Sequence, residues 1–320
     1  MSAVENPSRA KVLGKLRLGD NAFKIITRSA ALLVLALLGG VIISLIIGSM
    51  PALRALGLEF FTTQSWNPVT EKFGMLAPVY GTIVTSLIAM LIAVPVGLMI
   101  AFFLTELCPM FLRRPIGIAI ELLAGIPSII YGIWGLFVFA PLLQQYVQPA
   151  LIATFGNIPL LSTVFEGPPY GIGMLTAGLI LAIMVLPFIT SISRDVFDAV
   201  PPMLKESAYG LGCTTWEVFR NVVLPYTRVG VIGGVMLGLG RALGETMAVT
   251  FVIGNAHKIA ASILAPGTTI SATIANEFTE AVGDIYTSSL ILLGLILFVI
   301  TLIVLTIARL MLARIEKRIG

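Results

Sequence analysis

Six stretches of this chain run for more than twenty residues with almost no charge: Ser29 to Met50, Pro78 to Leu104, Pro115 to Leu143, Gly171 to Ser191, Val229 to Gly254 and Ile285 to Ala308. A helix rises about 1.5 Å per residue and needs about 20 residues to cross about 30 Å of hydrocarbon, so each run is predicted to span a membrane. Inside a bilayer the backbone finds no water, and runs this long satisfy their own polar groups as helices. The chain is 58% hydrophobic and 11% charged, against roughly 25% charge in a soluble domain. The expected fold class is therefore an all-α membrane protein with six transmembrane helices. The first run follows a basic stretch, but it is too long for a signal core and no small-residue cleavage motif follows it, so it reads as an uncleaved span.

Lys and Arg accumulate in cytoplasmic segments, and this bias predicts orientation. With the N-terminus inside, 16 of the 20 basic residues fall in inner segments; Arg54, Lys72 and Lys258 fall outside, and Arg241 lies in the fifth span. Both termini are predicted to be cytoplasmic. The formal charge of +4 then reports topology and contact with anionic lipid, and no nucleic acid partner is expected. Cys108 and Cys213 fall in inner loops, where free thiols are expected. His257 has no second His or Cys nearby, so no metal site is expected.

The predicted organisation is a cytoplasmic segment 1–28, a six-span domain 29–308 and a basic tail 309–320. Val12, Leu13, Leu16, Leu18 and Phe23 give the first segment an amphipathic pattern suited to the inner membrane surface; a mobile tail is the alternative. In the outer segment 51–77, Phe60, Phe61, Trp66 and Phe73 suit the membrane interface or the surface of a soluble partner. Pro127 and Pro187 interrupt spans three and four, each freeing a carbonyl that needs another donor or a cavity. Glu121 is expected to snorkel inward or to pair with Arg113 or Arg114.

The longest inner loop, 194–225, is SRDVFDAVPPMLKESAYGLGCTTWEVFRNVVLPYTR with its flanks. Pro201 and Pro202 predict a short helix opening at Met203, and Gly212 a left-handed close. Thr214 and Glu217 form a capping box for a second short helix, which Pro225 is predicted to end. Glu206, Ser207, Ala208, Gly212, Val222, Leu224 and Pro225 reproduce the spacing of the "EAA" loop of binding-protein-dependent ABC importer permeases, which this chain resembles. Ser207 stands for an Ala and Val222 for an Ile. The resemblance implies a coupling helix that docks on a separate ATPase subunit, with Glu206 as a polar contact and Gly212 as the bend.

Over residues 75–305, LAPVYGTIVTSLIAMLIAVPVGLMIAFFLTE, ELLAGIPSIIYG, KESAYGLGCTTWEVF and GLGRALGETMAV look like the phosphate-specific branch of these permeases. The segment ending EKFGML is similar to the PstC-type rather than the PstA-type subunit. Sulfate and molybdate permeases share much of the pattern, so another oxyanion is the alternative substrate. The resemblance implies a bacterial inner-membrane location, a second permease subunit, two ATPase subunits and a periplasmic phosphate-binding protein. No cofactor is expected in this chain: the phosphate-cradling pattern GxxxxGK[ST] is absent, and ATP and Mg would be bound by the ATPase partner.

Arg241 and Glu245 lie inside the apolar run Val229–Gly254. A charge at the bilayer centre costs about 2.5 to 3.5 kcal/mol on insertion scales. At about 100° per residue, Gly230, Gly234, Gly238, Arg241 and Glu245 share one face of a continuous helix. The glycines then let a neighbouring helix approach closely and the charges point away from lipid. Two readings stand: a structural ion pair between positions i and i+4, or an Arg241 fork that attracts the oxyanion while Glu245 orients Arg241, keeps the anion from binding too tightly to leave and accepts a hydrogen bond from protonated phosphate. An ion-coupled secondary transporter is a rival reading, but it predicts duplicated halves and more acids in the spans; in a channel, a coupling loop has no purpose.

Overall fold

The structure is a computed structural model that describes residues 7–156, 158–159 and 161–316, with the backbone alone for 7–18, 315 and 316. The chain forms α1 (Pro7–Leu56), α2 (Glu59–Thr62), α3 (Leu76–Phe102), α4 (Met110–Ala124), α5 (Ser128–Trp134), α6 (Ala140–Leu142), α7 (Gln148–Phe155), α8 (Met174–Asp198), α9 (Pro202–Gly210), α10 (Thr215–Val218), α11 (Leu224–Gly244), α12 (Met247–Val252), α13 (Ile270–Glu277) and α14 (Asp284–Glu316). Four π turns, Phe103–Leu107, Gly135–Phe139, Leu143–Val147 and Phe219–Val223, join or extend these helices. Six continuous helical stretches among the described residues are long and apolar enough to cross a membrane: Gly19–Leu56, Leu76–Leu107, Ser128–Phe155, Met174–Asp198, Thr215–Gly244 and Asp284–Arg314. Among the described residues the regular structure is all helical, with one isolated bridge between Asn67 and Lys72.

The centre of the bundle is α8, which packs along α3 and α11 and also touches α4 and α12. Its residues Ile180, Leu181, Val185 and Ile189 are fully buried with Ala89 and Ala93 of α3 and Val249 and Val252 of α12. In contrast, α1 leans on α14 and leaves Leu32, Val34, Leu35 and Ile47 exposed, the outward apolar surface that hydrocarbon requires. The amphipathic N-terminal pattern belongs to this long helix, since α1 is unbroken from Pro7 through the first span. Residues 1–6 lie outside the described part.

The third predicted span is placed differently. Gly125, Ile126 and Pro127 break the run, so the segment Pro115–Ala124 belongs to the separate helix α4, and the membrane-length stretch begins at Ser128. The carbonyl that Pro127 leaves without its usual N–H is that of Leu123, and the Tyr131 hydroxyl donates to it at 2.9 Å. Pro187, in contrast, sits inside an uninterrupted α8. Glu121 pairs with neither Arg113 nor Arg114: Arg194 of α8 donates to it at 2.7 Å, while Arg113 pairs with Asp198. These pairs fasten α4 antiparallel to the end of α8.

Phe60, Trp66 and Phe73 of the outer segment 51–77 pack against protein. Phe60 and Phe73 are buried with Ile270 of α13 and Leu290 and Leu293 of α14. Trp66 stacks on His257 with ring centroids 5.4 Å apart, and Phe73 stacks on Tyr286 at 5.0 Å. Aromatic side chains bury about 150–250 Å² each and dominate the energetics of such a cluster.

Candidate functional site

The fifth span supplies the first half of the site. α11 packs on α8 through Gly230, Gly234 and Gly238, where an added Cβ would lie 2.6 Å from Val196, 2.9 Å from Ile192 and 2.8 Å from Val185. No real Cβ contact is that short, so these positions set how closely the two helices approach. Arg241 follows on the same side of α11, and its guanidinium carbon lies 4.7 Å from the centroid of the Phe188 ring of α8. The glycine stripe and the arginine thus address one neighbour.

Glu245 does not continue that face. α11 ends at Gly244, and Glu245 has extended backbone at φ −69°, ψ 129° before α12 restarts at Met247. The single helix predicted from Val229 to Gly254 is two helices with a break between them. Gly244 weakens the helix at this point. The hydroxyls then bind the chain locally: Thr246 donates to the Gly244 carbonyl at 3.4 Å and Thr250 to the Thr246 carbonyl at 2.8 Å. Irregular backbone at membrane depth persists where it is buried in protein or lines a cavity, not where it faces lipid.

The predicted pair between Arg241 and Glu245 is not formed. Among the described residues, neither side chain makes an ion pair or a hydrogen bond, and the Arg241 Nε is buried without an acceptor. A cation over an aromatic face gains about 2 kcal/mol when desolvated, and the Phe188 ring stands here where a carboxylate would otherwise face the guanidinium. Phe188, one residue past Pro187, went unnoticed in the sequence because a lone aromatic residue in an apolar run carries no signal of its own.

The loop between α8 and α11 supplies the second half. α9 starts at Pro202, whose missing N–H falls where a helix has no acceptor for it. Gly212 closes it at φ +86°, with Gly212 N–H bonded to the Tyr209 carbonyl at 2.9 Å and Cys213 N–H to the Ala208 carbonyl at 3.2 Å. That is a Schellman close, which favours glycine at this φ. The capping box forms as well: the Glu217 carboxylate accepts from the Thr214 N–H at 2.8 Å and the Thr214 hydroxyl oxygen accepts from the Glu217 N–H at 3.4 Å.

Pro225 does not end the second short helix. The π turn Phe219–Val223 widens the helix just before it, and the chain runs on through Leu224 and Pro225 into α11. Glu206 and Ser207 are exposed and Ala208 is buried; the Ser207 hydroxyl donates back to the Met203 carbonyl at 2.7 Å. Met203 and Leu211 are 74% and 86% exposed, an apolar surface beside Glu206 on a rigid element. Cys108 and Cys213 are free.

A bundle of spanning helices, a charged break in one of them and a capped loop at one end describe a transport permease. The family of binding-protein-dependent transport system inner membrane components matches residues 93–319. Relatives include the phosphate transport system permease protein PstC of Mesorhizobium japonicum, 68% identical with 100% of both chains covered. The protein of the same name from Pasteurella multocida is 57% identical over 93% of each chain. A solved bacterial ABC transporter involved in import of the polysaccharide alginate has the same fold, with a TM-score of 0.54 over 92% of this chain and 99% of that one at 17% identity. The chain belongs to the binding-protein-dependent permease family, among its PstC-type members, and is a multi-pass membrane protein.

Proposed function

We propose that this chain is one permease subunit of an ATP-driven importer of inorganic phosphate in a bacterial inner membrane, with both termini on the cytoplasmic side. The observation that carries the reading is the unpartnered Arg241 guanidinium at the break in the fifth span, held against Phe188. Its planar fork suits a tetrahedral oxyanion, two oxygens at a time. The names of the full-length relatives point to phosphate as that anion.

In this reading Arg241 attracts the anion and Glu245, at the break four residues further on, keeps it from binding too tightly to leave. Glu245 also accepts a hydrogen bond from a protonated phosphate, which sulfate at neutral pH lacks. The chain itself performs no covalent chemistry. A second permease subunit completes the path, a periplasmic phosphate-binding protein delivers the anion, and two ATPase subunits bind ATP and Mg. The α9 loop docks on one of them through Met203, Glu206 and Leu211, and the caps at Gly212 and Thr214 make it rigid enough to transmit closure to α8 and α11.

Two measurements test this. Phosphate and sulfate uptake in Glu245→Gln should show weakened preference for phosphate, and an unchanged preference would remove Glu245 from selectivity. Glu206→Lys and Gly212→Asp should each abolish co-purification with the ATPase; retention in both would remove the loop from coupling.

A further inference from the structure

Lys205 and Glu206 are adjacent in α9 and do opposite things. Glu206 is exposed. Lys205 turns inward, and its ammonium donates to the Glu106 Oε1 at 2.6 Å and to the Phe197 carbonyl at 3.5 Å. Glu106 belongs to the π turn Phe103–Leu107 that ends the second span, and Phe197 to the last turn of α8. One ammonium therefore joins the loop helix, span two and span four. The contact at the end of α8 is also favourable for a cation, because that end carries unpaired carbonyls.

The pair is largely shielded from water, with side chains 18% and 8% exposed. It lies beside an apolar cluster of Ala101, Phe102, Phe197, Val200, Phe219 and Val223. Phe219 rests against Phe102 and Phe197 with ring centroids at 4.3 and 5.2 Å. Such packing holds surfaces together but allows them to slide, whereas a short ion pair fixes which residue meets which. A shielded ion pair contributes little net stability, and fixing a unique arrangement is the role such pairs are best suited to. The other ion pairs at this end, Arg113–Asp198 and Arg194–Glu121, tie α4 to α8 and do not involve α9.

We infer that Lys205 and Glu106 form a transmission link, which carries displacement of the α9 loop into span two as well as into the two spans that flank the loop. The inference rests on the reading of that loop as the ATPase-docking element. With the link cut, closure of the ATPase moves α8 and α11 while α3 lags, and ATP is spent without opening the path. Lys205 is on this account a positioning residue, whose effect lies in coupling and not in anion binding.

The test uses the complete transporter reconstituted in vesicles, with ATPase co-purification, ATP hydrolysis and phosphate uptake measured on the same preparations. Lys205→Met and Glu106→Gln should keep the ATPase bound and hydrolysing, while phosphate carried per ATP falls by about fivefold or more, the low end of a typical coupling effect. Lys205→Arg should stay near the wild type. Exchanging the charges, Lys205→Glu with Glu106→Lys, should restore most of the loss. Wild-type phosphate per ATP in both single variants, or an exchanged pair no better than either, would overturn the link. Should the single variants fail to accumulate, the exchanged pair decides: a coupled exchange supports the link and an uncoupled one overturns it. A wild-type chain that retains no ATPase would instead overturn the functional reading on which the link rests.

Discussion

Arg194 of α8 and Arg241 of α11 are both half-buried arginines on helices that pack together, and their surroundings differ at every point. Arg194 donates to Glu121 at 2.7 Å and to Asp195 at 3.2 Å, and beneath it Gly117 leaves room for one of its guanidinium nitrogens. Arg241 has the Phe188 ring and no carboxylate. Charges that brace this fold come with their counter-charges: Arg113 with Asp198, Lys205 with Glu106. The fifth-span pair does not, although a carboxylate lies only four residues further on. The break at Glu245 keeps the two apart, so the difference comes from the backbone and not from a shortage of acids.

The first way to sharpen the comparison is to disturb the packing that aims Arg241. Gly234→Val adds a Cβ that would lie 2.9 Å from Ile192, and overpacking of this kind costs about 1–3 kcal/mol. Thermal unfolding in detergent should show a marked drop, whereas unchanged stability would mean that α11 is free to shift off α8.

How much of this was legible in the sequence depends on the distance over which each feature is determined. The number of spans follows from length and apolarity alone, but not the bounds of the third and fifth; the Gly212 close and the Thr214 cap follow from residue types a few positions apart. The break at Glu245 was hidden because Gly244 is the only breaker there and no proline marks it, so a continuous helical wheel was the natural reading. Pro225 predicts a stop because a proline conflicts with an ordinary α-helix; a π turn just ahead of it removes the conflict. The partners of Glu121, Lys205 and Arg241 lie 73, 99 and some fifty residues away in sequence, and no local pattern selects among the available charges or rings.

A smaller effect is expected at the braced end. Arg194→Ala removes bonds to carboxylates that are themselves about half exposed, and exposed pairs contribute about 0.2–1 kcal/mol. Stability should fall within that range and phosphate uptake should stay close to normal. Loss of uptake at normal abundance would place Arg194 among the working charges and blur the distinction.

The smallest effect concerns pH. His257 lies in the loop between α12 and α13, stacked on Trp66 with Nε2 3.5 Å from Glu277. Burial lowers its pKa, and the carboxylate only partly opposes this. A base whose pKa falls on folding binds its proton more readily when unfolded, so its contribution to stability is full above about pH 6.5 and declines as the pH drops below that value. Unfolding midpoints measured from pH 7.5 to 5.5 should show this decline, and His257→Gln should flatten it. An equal slope in both proteins would assign the decline to other groups.

The most direct measurement is radiolabelled phosphate uptake in cells carrying Arg241→Gln, with membrane abundance and thermal stability determined alongside. The unpartnered arginine predicts that uptake is lost while abundance holds and stability falls by no more than the Phe188 ring contact is worth, about 2 kcal/mol, because no ion pair is broken. Normal uptake, or a loss that merely tracks a collapse in stability, would contradict it and make Arg241 one more brace.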